Sequence, residues 1–349
     1  MGLPSVSVVV PTLDEGAQIG PFLDQLLAQD GLIINVVVAD GGSADDTCAQ
    51  ALQRGVRVVH SPRGRGAQLN AGRAACGGGL LCVLHVDSAF TAPDQLARAV
   101  DHFVAEARAQ SPRRLAGHFQ LEFVGDPDVC AALGFFEAKS ALGRAHSTNG
   151  DQGLLIEADW LDALGGFDDR LPFLEDQALG CAVAAQGRWL LLPGRLQTAA
   201  RRFEVEGVRS RTTQNAVAMG LFHSGHGALL ARRHDAYAAQ SDAGALSVWP
   251  FVAWVAQELG RPPLRQQLQS WAAVGRYLAQ DGLWHVSFAW DHHRRGAAAA
   301  HDHPALDRHD RWLAPVLARP FVGALFAPML MLAAEVVVPW AGRHTPRGR

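Results

Sequence analysis

Leu81-Cys82-Val83-Leu84-His85-Val86-Asp87-Ser88 reads as a buried apolar strand that stops at a carboxylate. An open α/β sheet holds its ligand beyond the carboxyl ends of its strands, so Asp87 falls where such a fold does its chemistry. One aspartate there is weak evidence. Its weight comes from three other sets in the chain: Pro11-Thr12-Leu13-Asp14-Glu15, Asp40-Gly41-Gly42-Ser43, and the pair Glu175-Asp176.

The first two sets also follow apolar runs. Residues 5–10, Ser-Val-Ser-Val-Val-Val, form a β-branched run stopped by Pro11, as expected for a buried parallel strand. Ile19, Phe22, Leu23, Leu26 and Leu27 then recur at helical spacing, which predicts a helix over residues 17–29. A second strand is expected over residues 33–39. A helix opened by Asp45, Asp46 and Thr47 follows as far as Arg54, then a third strand over residues 56–60. This alternation predicts a doubly wound α/β sheet. The loop Ser61-Pro62-Arg63-Gly64-Arg65-Gly66 precedes another helix. Its glycines are not a dinucleotide fingerprint, because Leu69 stands where a glycine is required and the loop follows the third strand rather than the first. Two readings stay open for it, a phosphate clamp or a solvated turn.

Further along, residues 94–109 predict an amphipathic helix, and 115–124 alternate as an antiparallel or edge strand would. A polar loop, Asn149-Gly150-Asp151-Gln152-Gly153, precedes the apolar run Leu154-Leu155-Ile156. A short helix at 159–164, a helix over 176–186 and a strand over 188–192 complete the pattern.

Composition limits the classes of partner. The 349 residues carry 48% hydrophobic and 19% charged side chains with a formal net charge of -3, a globular balance without the basic signature of a nucleic-acid binder. Lys139 is the only lysine, so arginine supplies nearly all the cations. That suits bidentate phosphate contacts, and a high-GC genome explains it equally well. Five cysteines, at 48, 76, 82, 130 and 181, form no CxxC pair and are expected as small buried residues in a reducing compartment. The amino terminus has no basic segment followed by an apolar one, so a cytoplasmic body is expected.

The order Val-Val-Val-Pro-Thr-Leu-Asp-Glu, Ala-Asp-Gly-Gly-Ser-Ala-Asp, Arg-Gly-Arg-Gly-Ala-Gln-Leu-Asn-Ala-Gly, Leu-His-Val-Asp, Gly-Asp-Gln-Gly, Gly-Gly-Phe and Leu-Glu-Asp resembles family 2 glycosyltransferases of GT-A fold. It is most similar to the bacterial subgroup whose central motif is Leu-His-Ala-Asp. The resemblance covers residues 5 to about 215. It implies a GT-A catalytic domain over 1–215, with a doubly wound, mostly parallel sheet, and a mostly helical region over 216–349. It also implies an inverting transfer of a sugar from a nucleoside diphosphate sugar to a hydroxyl acceptor.

The resemblance assigns expected roles residue by residue. Pro11, Thr12, Glu15, Asp40 and Gly41 would contact base and ribose, and Arg65, Gln68 and Asn70 would approach the diphosphate. Asp87, with His85, would hold Mn²⁺ or Mg²⁺; a histidine in place of the usual first carboxylate favours Mn²⁺. Asp151 would line the donor sugar or the acceptor. Asp176 would be the base, with Glu175 beside it. Structural alternatives stand beside these roles: Asp14, Asp40 and Asp176 as helix caps, His85 as a hydrogen-bonded core histidine, Asp151 as a turn residue. Arg201-Arg202-Phe203 is either a lid or an exposed basic pair. The competing function is a nucleotide-sugar-binding relative without turnover. A nucleotidyltransferase is excluded, since Pro11-Thr12-Leu13-Asp14 is not a glycine-rich phosphate loop.

Beyond residue 215 the chain turns alanine-rich and carries Trp249, Trp254, Trp271, Trp284 and Trp290. Its stretches Asp291-His292-His293 and His301-Asp302-His303 are expected as solvated loops. Residues 321–340 contain one charge, Glu335, and the interior prolines Pro328 and Pro339. The segment is long enough to span a bilayer, but arginines at 343, 347 and 349 oppose that orientation for a cytoplasmic body. It is expected to lie on the inner face of the cytoplasmic membrane or to pack against the catalytic domain. Peripheral membrane contact would suit a lipid-linked acceptor.

Overall fold

The structure is a computed structural model that describes residues 3–109, 114–144, 147–232, 247–295 and 302–344. The chain divides into two compact units, one ending at Ala200 and one beginning at Arg201. The sequence alone suggested a boundary near residue 215.

The first unit is a mixed α/β layer structure. Its elements are β1 (Ser5–Thr12), α1 (Gly16–Leu27), β2 (Ile33–Asp40), α2 (Thr47–Gln53), β3 (Arg57–His60), α3 (Arg65–Ala75), β4 (Leu80–Val83), β5 (Ser88–Phe90), α4 (Gln95–Ala109), β6 (Leu115–Val124), α5 (Pro127–Ser140), β7 (Leu154–Glu157), α6 (Ala158–Ala163), α7 (Glu175–Gln186) and β8 (Arg188–Ala199). They build one sheet in the order β3-β2-β1-β4-β7-β6-β8-β5. Strands β1 to β4 pair in parallel, as right-handed strand–helix–strand crossovers require. The other half of the sheet is mixed. β7 runs antiparallel to β4 and β6, β6 is parallel to β8, and β5 is antiparallel to β8.

Alternation along the strands sorts the core into two layers. Val8 and Val10 of β1 join Ile19, Leu23, Leu96 and Phe103 on the face covered by α1 and α4. Val9 points the other way, to Leu69, Leu161, Leu179 and Val183 on the face covered by α3, α6 and α7. A strand buried on both faces reads as an unbroken apolar run, which is why β1, β2 and β4 stood out.

Three expectations are corrected. The run ending at Asp87 is not one strand: β4 stops at Val83, and a turn closed by the Ser88 amide donating to the His85 carbonyl carries Asp87 to the start of β5. For residues 115–124 the antiparallel reading holds against β7 and the edge reading does not, since β6 lies between β7 and β8. Its alternating pattern reflects uneven cover along its length, with Leu115 to Phe119 buried and Glu122 to Val124 increasingly exposed. Of the five cysteines, all free, only Cys82 is buried and Cys181 is exposed.

The second unit is helical: α8 (Arg201–Glu206), α9 (Val208–Leu221), α10 (Gly227–Arg232), α11 (Trp249–Gly260), α12 (Leu264–Arg295), α13 (Pro304–Arg308), α14 (Ala314–Leu317) and α15 (Pro320–His344). Helix α15 lies close against α12. Gly323 faces the Ala272 backbone and Gly275 faces Phe326, so neither position has room for a side chain. The first part of segment 321–340, around Val322, Gly323 and Phe326, therefore packs within its own unit. Its other side is apolar and exposed at Phe321, Leu325, Met329 and Leu332. Among the described residues no single helix is long and apolar enough to cross a membrane; the pair Pro304–Leu317 and Pro320–Glu335, bent by 78°, passes only when taken together.

Asp291-His292-His293 is not a solvated loop. It lies on α12, where buried Asp291 accepts from the Ala305 and Leu306 amides at the start of α13. His303 is buried against Phe288, and His301, Arg347 and Arg349 lie outside the described residues.

Phe119, fully buried and edge-to-face with Phe90 at 6.2 Å, locks β6 to the α4 side of the core. Phe119→Ala is expected to cost about 3–5 kcal/mol, read as a lowered midpoint in urea unfolding.

Candidate active site

Register brings the first group of residues together. Thr12 ends β1 directly opposite Asp40 at the end of β2, and Asp40 lies opposite His60 at the end of β3. Asp40 is 1% exposed, yet its carboxylate is surrounded by donors: the Gly42 and Ser43 amides, the Ser43 hydroxyl and, at 3.5 Å, the Thr12 hydroxyl. Burial works against its charge, but these bonds and the Cys48 thiol prevail and hold Asp40 below the ordinary carboxylate value.

Neither Asp14 nor Asp40 caps a helix. Asp14 instead accepts from the Ala44 amide, while its own amide donates to the Ser43 hydroxyl. Asp45 accepts from the Gly16 amide, and Thr47 accepts from the Glu15 amide. The loops after β1 and β2 are thus tied to one another, with Asp14 held at a φ of 54°. Such a conformation in a non-glycine residue costs energy and tends to persist at functional sites.

The third loop is fixed by two amide side chains. Gln68, buried on α3, donates to the Thr12 and Ala39 carbonyls and lies against Gly41. Asn70 exchanges two hydrogen bonds with the Phe167 backbone, at 2.8 and 3.0 Å, tying α3 to the Gly165-Gly166-Phe167 loop. Both amides, expected near a diphosphate, hold the backbone that shapes the site. Arg65 opens α3 with its side chain 43% exposed, at a helix end that favours anions.

The last group surrounds the 3-10 turn Gly150–Gln152. The Asp176 Oδ2 accepts from the Gly150 amide at 2.7 Å and from the Gln177 side chain at 3.1 Å. Asp176 thus does not cap α7; it reaches across to another loop. A methyl group added at Gly150 would touch both Asp176 and His85 Nε2, so these two side chains flank the same turn. Asp151 is exposed on that turn. His85, Gly150, Glu175, Asp176 and Trp189 line one cleft. Wider hollows near Ile34 and Arg57 and near Phe103 and Arg108 contain none of the expected site residues.

Glu175 stands apart electrostatically. It is 1% exposed, neither carboxylate oxygen has a hydrogen-bond partner, and Arg65 Nε lies 3.6 Å from Oε1. Burial pushes its carboxyl up to about 7; Arg65 pulls the other way and Asp176 adds to the rise. Leu174, just before it, sits at a φ of 71°. His85 is pushed down to about 4 by burial and by Arg65, against the pull of Asp151. It is therefore a neutral imidazole near pH 7, the form that ligates a metal.

Asp87 is exposed beyond that histidine, with the Thr198 hydroxyl 3.5 Å from its Oδ2. One carboxylate and one neutral imidazole fit Mn²⁺ better than Mg²⁺. Sequence reasoning missed a second potential ligand set, Asp40, Cys48 and His60, whose donor atoms lie within 4.8 Å of one another. No local motif marks it, because strand register assembles it.

Residues 7–117 match glycosyl transferase family 2. A glucosyl-3-phosphoglycerate synthase of Mycolicibacterium paratuberculosis is 45% identical over 56 residues, 16% of this chain and 17% of that protein. The Mycobacterium tuberculosis enzyme of the same name is 34% identical over 102 residues, 26% of this chain and 31% of that one. The chain thus matches less than a third of the length of these curated relatives. Among solved structures, a mannosyltransferase from Pyrobaculum calidifontis in complex with GDP-Man and Mn²⁺ aligns with a TM-score of 0.48 at 21% identity, covering 97% of this chain and 88% of that one.

Between its ordinary value of 4.5 and about 7, folded Glu175 keeps a proton that the unfolded chain releases. Stability from this group therefore falls as pH rises through that window. Glu175→Gln removes the fall, so the variant should gain on the wild type between about pH 5 and about pH 8 in thermal unfolding. His118, pushed down to about 4 by burial, shifts stability the opposite way, but it is common to the two proteins and cancels in the comparison.

Proposed function

We propose that this chain, a member of the family 2 glycosyltransferase superfamily with a GT-A-like fold, moves a sugar from a nucleoside diphosphate sugar to a hydroxyl acceptor with inversion. The observation that carries this reading is the convergence, at the carboxyl end of one sheet, of a buried aspartate ringed by donors, an arginine at a helix amino terminus and the Asp176–His85 cleft.

In this reading Asp40 accepts from a base N–H, with Thr12 and Glu15 beside the ribose and Pro11 and Gly41 framing the floor. Arg65 meets the diphosphate with its guanidinium, and Glu175 holds Nε from behind. Asp87 and His85 would hold the divalent cation, which when bound neutralises charge on the leaving diphosphate. Asp176 takes the acceptor proton as the acceptor oxygen bonds to the anomeric carbon. The bond from that carbon to the diphosphate breaks, and its electron pair leaves with the nucleotide. The bond from the Gly150 amide orients the Asp176 carboxylate, and Asp151 on the same turn borders the sugar or the acceptor.

The carboxy-terminal unit supplies a membrane-facing element in the same proposal. The exposed row Phe321, Leu325, Met329 and Leu332 on α15 would rest on a lipid surface, suiting a lipid-linked acceptor.

A positioned base is typically worth ~10²–10⁴ in rate, so Asp176→Asn should lower turnover by that order while nucleotide affinity stays unchanged. Release of UDP or GDP from a panel of UDP- and GDP-sugars, with Mn²⁺ and simple alcohols or lipid-linked acceptors, reads this out. Nucleotide binding with no sugar released by wild type under any pairing would favour the alternative, a binding relative without turnover.

A further inference from the structure

We propose that Asp40, Cys48 and His60 form a binding site for a borderline-soft divalent cation of the Zn²⁺ class, whose occupation closes the base end of the nucleotide site. The closing half of this proposal rests on the transferase reading. The site is separate from the Asp87–His85 pair and differs from it in chemistry.

Three elements bring the ligands together. Asp40 ends β2, His60 ends β3 in the register position opposite it, and Cys48 sits in the first turn of α2. The Ser61 amide donates to the Asp40 carbonyl and fixes the chain just past His60. His60 Nδ1 lies 3.4 Å from Asp40 Oδ2, and the Cys48 thiol lies near enough to help hold the charge of Asp40. One sulfur, one imidazole nitrogen and one carboxylate oxygen lie within 4.8 Å of one another. In a tetrahedral Zn²⁺ site, bonds of ~2.0–2.3 Å put ligand atoms roughly 3–4 Å apart. His60, 75% exposed at its side chain, closes the difference by turning its ring. Mixed sulfur and nitrogen donors select Zn²⁺ or Co²⁺ over Mg²⁺, which keeps to oxygen and water.

Binding is a simple exchange. In the metal-free protein the Cys48 thiol and the His60 ring both face Asp40 as donors. The cation takes their place, the thiol proton leaves to solvent, and the proton of the neutral imidazole moves through solvent from Nδ1 to Nε2, freeing the Nδ1 lone pair for the metal. Asp45, which also acts on the Cys48 thiol, adds negative charge that favours the cation. A cation on the Asp40 carboxylate puts positive charge where a nucleobase N–H would donate, and so opposes the approach of the base.

The test uses the full chain and two probes. Titration with Co²⁺ should produce a thiolate-to-cobalt charge-transfer band in the near ultraviolet. Cys48→Ser should abolish that band, Cys181→Ser should keep it, and His60→Ala should weaken Co²⁺ affinity at least roughly tenfold, since even outer contacts of metal sites cost that much. No band at saturating Co²⁺, or a band that persists in Cys48→Ser, overturns the site. In the second arm, Zn²⁺ should raise the apparent Kd for UDP or GDP in the presence of Mn²⁺, and the Cys48→Ser, His60→Ala pair should remove this inhibition. Zn²⁺ that forms the site yet leaves nucleotide affinity untouched overturns the closing role. Absence of nucleotide binding at every metal concentration overturns that role together with the transferase reading, while the cobalt band still decides the metal site.

Discussion

The parallel register of β1, β2 and β3 is the constraint on which the rest of this structure depends. Because Thr12, Asp40 and His60 occupy matching positions on neighbouring strands, three loops leave the sheet at one level and one edge. A slip of one residue would turn each strand's apolar side chains toward the wrong helix layer, so the two-sided core enforces the alignment. Val8 and Val10 on one face and Val9 on the other make such a slip costly. Packing energy thereby sets the position of polar groups that contribute little to packing themselves.

What the core cannot do is shape the loops, and here polar side chains take over. Asp14, Asp45 and Thr47 each engage a backbone amide of the neighbouring loop, Gln68 takes two strand-end carbonyls, and Asn70 makes a two-bond clasp on Phe167. Each of these bonds engages a backbone group of a loop or of a strand end. The scaffold they build tolerates two costs: the left-handed conformations of Asp14 and Leu174, and the buried, unbonded carboxyl of Glu175. Both costs fall beside the groups assigned to chemistry. Strain and desolvation concentrated at one place are expected of a site organised for binding rather than for stability.

Much of this was legible in the residues because local pattern and global fold agree over the first unit. Strands buried on both faces announce themselves as β-branched runs, and helices α1 and α4 show their apolar stripes, so the alternation of elements followed directly. Features that depend on contacts between distant segments were not legible. β6 alternates as an antiparallel or edge strand would; it is antiparallel to β7 and covered on both sides by β7 and β8, and nothing in residues 115–124 names those neighbours. The resemblance placed Gln68 and Asn70 near a diphosphate, but no local pattern announced the backbone groups they hold, Thr12 and Ala39 for one and Phe167 for the other. Asp291 looked solvated until α13 brought two amides to it. The Asp40, Cys48 and His60 cluster has the same origin, since its members are ordinary in their own segments and meet only through register.

In the proposed function the carboxyl ends of this sheet bind a nucleoside diphosphate through a cation held at Asp87. Isothermal titration of the purified chain with UDP and with GDP, with and without Mn²⁺ and repeated on Asp87→Ala, tests it most directly. Mn²⁺-dependent binding of one nucleotide that Asp87→Ala abolishes is the expected result. Absence of binding for both nucleotides with Mn²⁺ present, or equal affinity in wild type and Asp87→Ala, would contradict it.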